Sequence, residues 1–165
     1  MSSINISYIK ELILVPVPAV KVFMPTADST IIEVGAVKMN SDVVATRFIF
    51  EGQKASYSIQ EAGDMQQISI SFSIPRNTPE RNAWLILHEQ KEFYVFIKDR
   101  NNERVGIFSE DGGVAMSWQR VINERNTIEI SLSAELVNCV YLLNDEPGAY
   151  LDGNDFGFDF NISYG

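Results

Sequence analysis

The sequence predicts an all-β fold, a mainly antiparallel β-sandwich or barrel with one short α-helix around residues 79–92. Three observations carry that expectation: apolar and polar residues alternate at period two through much of the chain, turn-forming residues separate the alternating runs, and a helix-start signal occurs once. With 45% hydrophobic and 21% charged residues among 165, there is enough apolar side chain for one self-sufficient core. One β domain with its flanking helix is expected over 1–144, followed by a Gly- and Asp-rich linker and a C-terminal aromatic strand in 145–165.

The clearest strand is 66–74, where Ile68, Ile70, Phe72 and Ile74 alternate with Ser69, Ser71 and Ser73. Residues 127–134 repeat the pattern, with Ile128, Ile130 and Leu132 set against Glu129, Ser131 and Ser133. Each should bury one face and wet the other. Further strands are expected over 4–9, 12–17, 30–38, 43–50, 55–59, 93–98, 104–108, 114–121 and 139–143. Pro16 and Pro18 cannot donate to a ladder, which assigns 12–17 to a sheet edge or an extended arm. Residues 99–103, with Asp99, Asn101 and Asn102, suit a hairpin turn between 93–98 and 104–108, and Glu110, Asp111, Gly112 and Gly113 suit a second one before Val114.

Thr78, Pro79 and Glu80 supply an N-cap, a first-turn proline and an acid ahead of the helical run. Trp84, Leu87, His88 and Lys91 share a stripe there, and Trp84 and Leu87 are the expected anchors onto the sheet. At the other end of the chain, Phe156, Phe158, Phe160, Ile162 and Tyr164 fall on one parity of a strand, opposite Gly157, Asp159, Asn161 and Ser163. An aromatic row of that size must dock, because aromatic burial stabilises by roughly 25 cal/mol per Å². The tetrapeptide Asn-Ile-Ser-Tyr occurs at both 5–8 and 161–164, so these two strand ends are candidates to lie side by side.

Twenty-two acids against thirteen bases leave a net charge of -9, which opposes tight nucleic-acid binding. The bases Arg76, Arg81, Lys98, Arg100, Arg104, Arg120 and Arg125 are interleaved with acids and amides and form no patch. A single cysteine, Cys139, excludes an internal disulfide, and a single histidine, His88, excludes a histidine-rich metal site. The apolar stretch 12–20 is broken by two prolines and preceded by Lys10 and Glu11, so neither an export signal nor a membrane segment is expected.

Phosphate loops, dinucleotide fingerprints, nucleophile elbows and Cys-x-x-Cys pairs are missing from the sequence. Glu110 with Asp111, or Glu61 with Asp64, could be set up as a carboxylate pair, but acids beside glycine read as soluble turns. Asp152, Asn154, Asp155 and Asp159 offer oxygen ligands, yet their spacing misses a calcium loop. No catalytic residue, metal or cofactor is therefore expected.

The order of elements over 66–136 carries a resemblance. An alternating strand stops at Pro75, a short helix starts at Thr78, and strand 93–98 leads through the Asp-Arg-Asn-Asn turn to the Val105–Gly106 step. Asp111, Gly112 and Gly113 follow, and then an Asn-x-Ile-x-Ile-x-Leu strand from Asn126. This resembles structural proteins of tailed-bacteriophage and prophage tails, tail-tube-like or related tail and baseplate components. The resemblance implies a β-sandwich or barrel with a flanking helix that self-associates, as a ring or stacked tube, and docks with other tail proteins. It implies location in the virion, or in the host bacterial cytoplasm before assembly. The aromatic C-terminal strand departs from that family, but a terminal strand with its own apolar face, Phe156, Phe158, Phe160, Ile162 and Tyr164, is suited to pair with a sheet edge in an assembly. The two alternating strands also offer Ser69, Ser71, Ser73, Glu129, Ser131 and Ser133 as a polar lumen face if a ring carries DNA, the alternative being that both polar faces meet only water. The alternative is a non-catalytic carbohydrate- or peptide-binding β-sandwich on a bacterial surface-associated protein.

Overall fold

The computed structural model describes residues 5–17, 20–23, 31–32, 37–39, 45–50, 54–75, 79–88, 91–107, 112–121, 127–136, 140–143, 146–147 and 156–162. Its strands are β1 (Asn5–Pro16), β2 (Val20–Phe23), β3 (Ile31–Ile32), β4 (Val37–Met39), β5 (Ala45–Phe50), β6 (Ala55–Ala62) and β7 (Met65–Pro75). The helix α1 (Pro79–His88) follows, and then β8 (Glu92–Asp99), β9 (Arg104–Ile107), β10 (Val114–Val121), β11 (Thr127–Leu136), β12 (Val140–Leu143) and β13 (Phe156–Ile162).

Eleven strands form one sheet in the order β13-β5-β1-β6-β7-β11-β10-β8-β9-β12-β3, and β1 also pairs with β8. That extra pairing closes β1, β6, β7, β11, β10 and β8 into a six-stranded antiparallel barrel. Two wings leave it. β5 and β13 extend from β1, and β9, β12 and β3 extend from β8. The expected all-β class with one short helix is what the chain adopts.

β1 makes closure possible because it is long enough to serve three partners. Asn5 to Tyr8 pair with β6, Glu11 to Leu14 pair with β5 on the same side, and the other side runs along β8 from Ile9 to Pro16. The register shifts between Ile9 and Glu11, a bulge that bends the strand where its partner changes. The expectation of two strands, with 12–17 at an edge, is corrected. The run is one central strand, and Pro16 is tolerated because it is the last ladder residue.

Burial explains why β7 and β11 form as predicted. Ile68, Ile70, Phe72, Ile74, Ile128, Ile130 and Leu132 all enter the core, while Ser69, Ser71, Glu129, Ser131 and Ser133 face out. β6 joins β7 through Gly63 and Asp64, and Gly63 takes φ 66° at the first central position of a two-residue turn. In the hairpin between β8 and β9 the left-handed residue is Asn102, at φ 65°. The second expected hairpin is not formed: β10 pairs with β8 and β11, and β9 lies on β8 beyond it. Gly113 marks that crossing, since a Cβ there would sit 2.4 Å from the Phe93 carbonyl oxygen and 2.7 Å from Val17 Cγ2. The chain needs a bare backbone at this seam.

Three boundaries also differ from expectation. α1 ends at His88, and Glu92 instead opens β8 by pairing with Ala115. Of the expected strand 30–38, the described pieces are β3 and β4, which belong to different sheets, and β2, which pairs with β4, was not foreseen. Of the second Asn-Ile-Ser-Tyr, the described residues Asn161 and Ile162 lie on β13, which β5 separates from β1.

Helix α1 docks through Trp84 and Leu85, both fully buried, and not through Leu87. At 100° per residue, positions 84 and 85 straddle the side that meets the sheet, and 83, 86 and 87 fall opposite. Trp84 Nε1–H donates to Thr46 Oγ1 at 2.9 Å, and its ring meets Phe48 edge-on at 5.5 Å. Phe72 closes the cluster at 4.9 Å from Phe48 and 5.1 Å from Phe50.

Candidate functional site

The six residues expected to form a polar face come together by strand pairing. β7 and β11 are neighbours, with Ser69 opposite Ser133, Ser71 opposite Ser131 and Ser73 opposite Glu129. Flanking strands extend the rows, because Ser71 also faces Ser56, Ser69 faces Ser58, and Ser131 faces Ser117. Ser56, Ser71, Ser131 and Ser117 thus form one row across β6, β7, β11 and β10. Gln119 Nε2 donates to Glu129 Oε2 at 3.2 Å, tying the end of the next row. A surface hollow of about 270 Å³ lies over this face, and its polar lining residues are Lys54, Ser56, Ser71, Ser73, Glu129 and Ser131. Hydroxyls that can both donate and accept, with one acid and one base, Lys54, give a hydrated surface with no cluster of cations to hold phosphates tightly. Phe72, beneath the hollow, is buried and presents no ring to a ligand.

The second candidate surface is the wing that ends in β13. β13 runs parallel to β5, with Phe158 level with Thr46, Asp159 with Arg47, Phe160 with Phe48, Asn161 with Ile49 and Ile162 with Phe50. Phe156 is level with Ala45, so one extra residue, Gly157, is accommodated on β13 and breaks the single parity of the row. Thr46, Phe48 and Phe50 are buried residues of β5. The positions 158, 160 and 162 are therefore in step with the inward side of β5. Tyr164 lies outside the described residues.

A buried polar node was not anticipated from sequence. Asp99 is fully buried at the end of β8, where Oδ1 accepts from the backbone N–H groups of Asn101 and Glu103 at 2.9 Å, and Oδ2 accepts from the Tyr57 hydroxyl at 3.0 Å. Burial, and then the adjacent Asp99 carboxylate, push the Tyr57 phenol well above its ordinary range. Arg100 ties the same corner to β1 and β5, donating through its backbone N–H to Tyr8 O at 2.9 Å and through its guanidinium to the Phe50 carbonyl. The node thus fastens four strands, β1, β5, β6 and β8, at one end of the barrel. The only signal of it in the sequence is the turn propensity of 99–103.

Glu61 lies near the end of β6 and Asp64 in the exposed β6–β7 turn, and Glu61 accepts from Gln66 Nε2 at 2.9 Å. They form no cleft. Glu110, Asp111, Cys139, Asp152, Asn154 and Asp155 lie outside the described residues. Among the described residues there is no cluster of three or more His, Cys, Asp or Glu able to hold a metal, and no helix is long and apolar enough to cross a membrane. No protein-family model matches the chain, and neither a curated protein nor a solved structure does.

Proposed function

We propose that this chain is a non-catalytic structural subunit of a phage or prophage tail, working by self-association and by docking with other tail proteins. The observation that carries the reading is the open sheet margin at β13. This seven-residue strand pairs with β5 alone among the described residues, holds one charged residue, Asp159, and no proline. A long edge with those properties is a template for a further strand. In a ring of such subunits, the face holding Ser69, Ser71, Ser73, Glu129, Ser131 and Ser133 lines the lumen, where a surface that does not hold phosphate tightly lets DNA pass. The resemblance over 66–136 supplies the tail context.

Light scattering after size exclusion tests the reading. With a net charge of -9 the subunits repel one another, so association should strengthen as salt is raised from low to physiological ionic strength and beyond. A strictly monomeric chain at high concentration and high salt, also in the presence of tail proteins encoded beside it, would overturn it.

A further inference from the structure

We propose that β13 is an exchangeable strand: in the assembled state the segment Phe156–Ile162 of one copy occupies the β5 edge of the next, in the same parallel register that it takes on its own chain. The inference rests on the assembly reading and names its joint. Three observations carry it.

First, β13 is attached to the body through one strand. It pairs with β5 and with nothing else among the described residues, and it stands at the end of the sheet order. Whatever pairing it gives up on leaving its own β5 is therefore recovered on the β5 of another copy.

Second, the position where the chain leaves the body is fixed. Glu146 is held by Lys98 Nζ at 3.0 Å, with Arg104 at 3.8 Å, and Pro147 beside it is buried. The connection that chooses between the two β5 edges is thus the eight residues 148–155, two of them glycines and three of them acids or asparagine. At about 3.3–3.6 Å per residue, eight residues span at most roughly 30 Å, which confines exchange to a copy whose β5 edge lies within that distance.

Third, β5 is a poor edge to leave bare. Its register partners on β13 match Thr46, Phe48 and Phe50, the residues that join Trp84 and Phe72 in the cluster beneath α1. Each copy must fill that edge, with its own strand or a neighbour's.

The energetics then set the conditions. Cis and trans docking make the same interactions, so the choice depends on effective concentration, which for a short connection is on the order of millimolar. A dilute chain keeps its strand. Copies held side by side in an assembly reach the concentration at which exchange competes, and each then donates one strand and accepts one. Donor and acceptor are different surfaces, so the interface is heterologous and closes as a ring where the rotation permits.

The test uses full-length chains carrying Cys139→Ser with either Ile49→Cys or Asn161→Cys, because residues 49 and 161 are register partners. Neighbouring strands lie about 4.8 Å apart, within disulfide range. Mixed at about millimolar concentration and oxidised, the two variants should give a disulfide between 49 of one chain and 161 of the other, identified by peptide mapping, in a yield that falls when the mixture is diluted before oxidation. A chain carrying both cysteines should cross-link within itself when dilute. If the double variant links only internally at every concentration and the mixture gives no 49–161 link, exchange is overturned. If no 49–161 link forms in either setting, the pairing itself is wrong and exchange falls with it. The pair Arg47→Cys and Asp159→Cys repeats the test at a second register position, should the first pair perturb folding. Light scattering on the unmodified chain separates the two readings. Oligomers without an interchain link leave assembly standing and remove exchange, whereas a strict monomer removes both.

Discussion

The half of the barrel built from β6, β7, β11 and β10 has one wet face, whereas the stretches 12–15 of β1 and 93–97 of β8 have none. On β11 the burial alternates residue by residue, with Ile128, Ile130 and Leu132 inside and Glu129, Ser131 and Ser133 in water. On β1 and β8, by contrast, Leu12, Ile13, Leu14 and Val15 are buried without interruption, and so are Phe93, Tyr94, Val95, Phe96 and Ile97. Leu12, Leu14, Phe93, Val95 and Ile97 belong to the barrel core, while Ile13, Val15, Tyr94 and Phe96 occupy the opposite side. β1 and β8 are thus sandwiched between two layers, as the uninterrupted apolar runs require. The difference teaches that the wet half can present a surface, and that the dry half holds the molecule together.

The largest effect that would break this contrast is at Phe96, which is fully buried yet lies outside the barrel core. Phe96→Ala should cost about 3–5 kcal/mol in denaturant titration, as for any large buried aromatic. A cost under ~1 kcal/mol would mean that the second layer is not packed. Next comes the seam where the halves meet. Gly113→Ala forces a methyl into the Phe93 carbonyl and should destabilise by about 1–3 kcal/mol or more, read as a lower melting temperature.

Tyr57→Phe probes the corner where the halves are tied. Removing the hydroxyl takes one of three hydrogen bonds from the buried Asp99 carboxylate, at about 1–3 kcal/mol. The pH sign follows from the raised phenol. Below the ordinary tyrosine value, about 10, Tyr57 is protonated in both folded and unfolded chains and its stabilisation is complete. Above it the unfolded chain releases a proton that the folded chain retains, so stability falls as pH rises from there. With Tyr57→Phe in place the alkaline slope should be shallower, measured by denaturation midpoints between about pH 9 and 11.

The smallest effects belong to the wet half and the outer side of α1. Ser71→Ala, on the exposed row, should change stability by less than about 0.5 kcal/mol. Ile86 and Leu87 are 62% and 61% exposed, so replacing both with Ser should likewise leave the melting temperature unchanged. A drop of several degrees in either case would reveal packing on a side that is wet in the isolated chain.

Strands with one wet face were legible because alternation is a local mark. The serine parity of 66–74 and 127–134 gave the polar face residue by residue. What could not be read was that the two strands touch, since α1, β8, β9 and β10 intervene and pairing leaves no trace in either segment. β1 was misplaced for a related reason. A continuous apolar run carrying Pro16 looks like an edge, and only its burial on both sides reveals a central strand. Asp99 was legible as a turn residue, but its burial depends on Tyr57 reaching it from β6. Leu87 was mistaken for an anchor because Trp84, Leu85 and Leu87 offer two possible apolar sides, and the approach of Thr46 and Phe48 decides between them.

The closure of the barrel through β1 has a kinetic corollary. Ile9 meets Asp99, and β11 must arrive to join β7 to β10, so Leu136 has to leave the ribosome before the ring of strands can close. Pairings this distant in sequence make for slow folders, in the millisecond-to-second range for all-β domains. Until then the greasy run at 12–15 lacks its shelter, and nascent chains are at their most vulnerable to clumping.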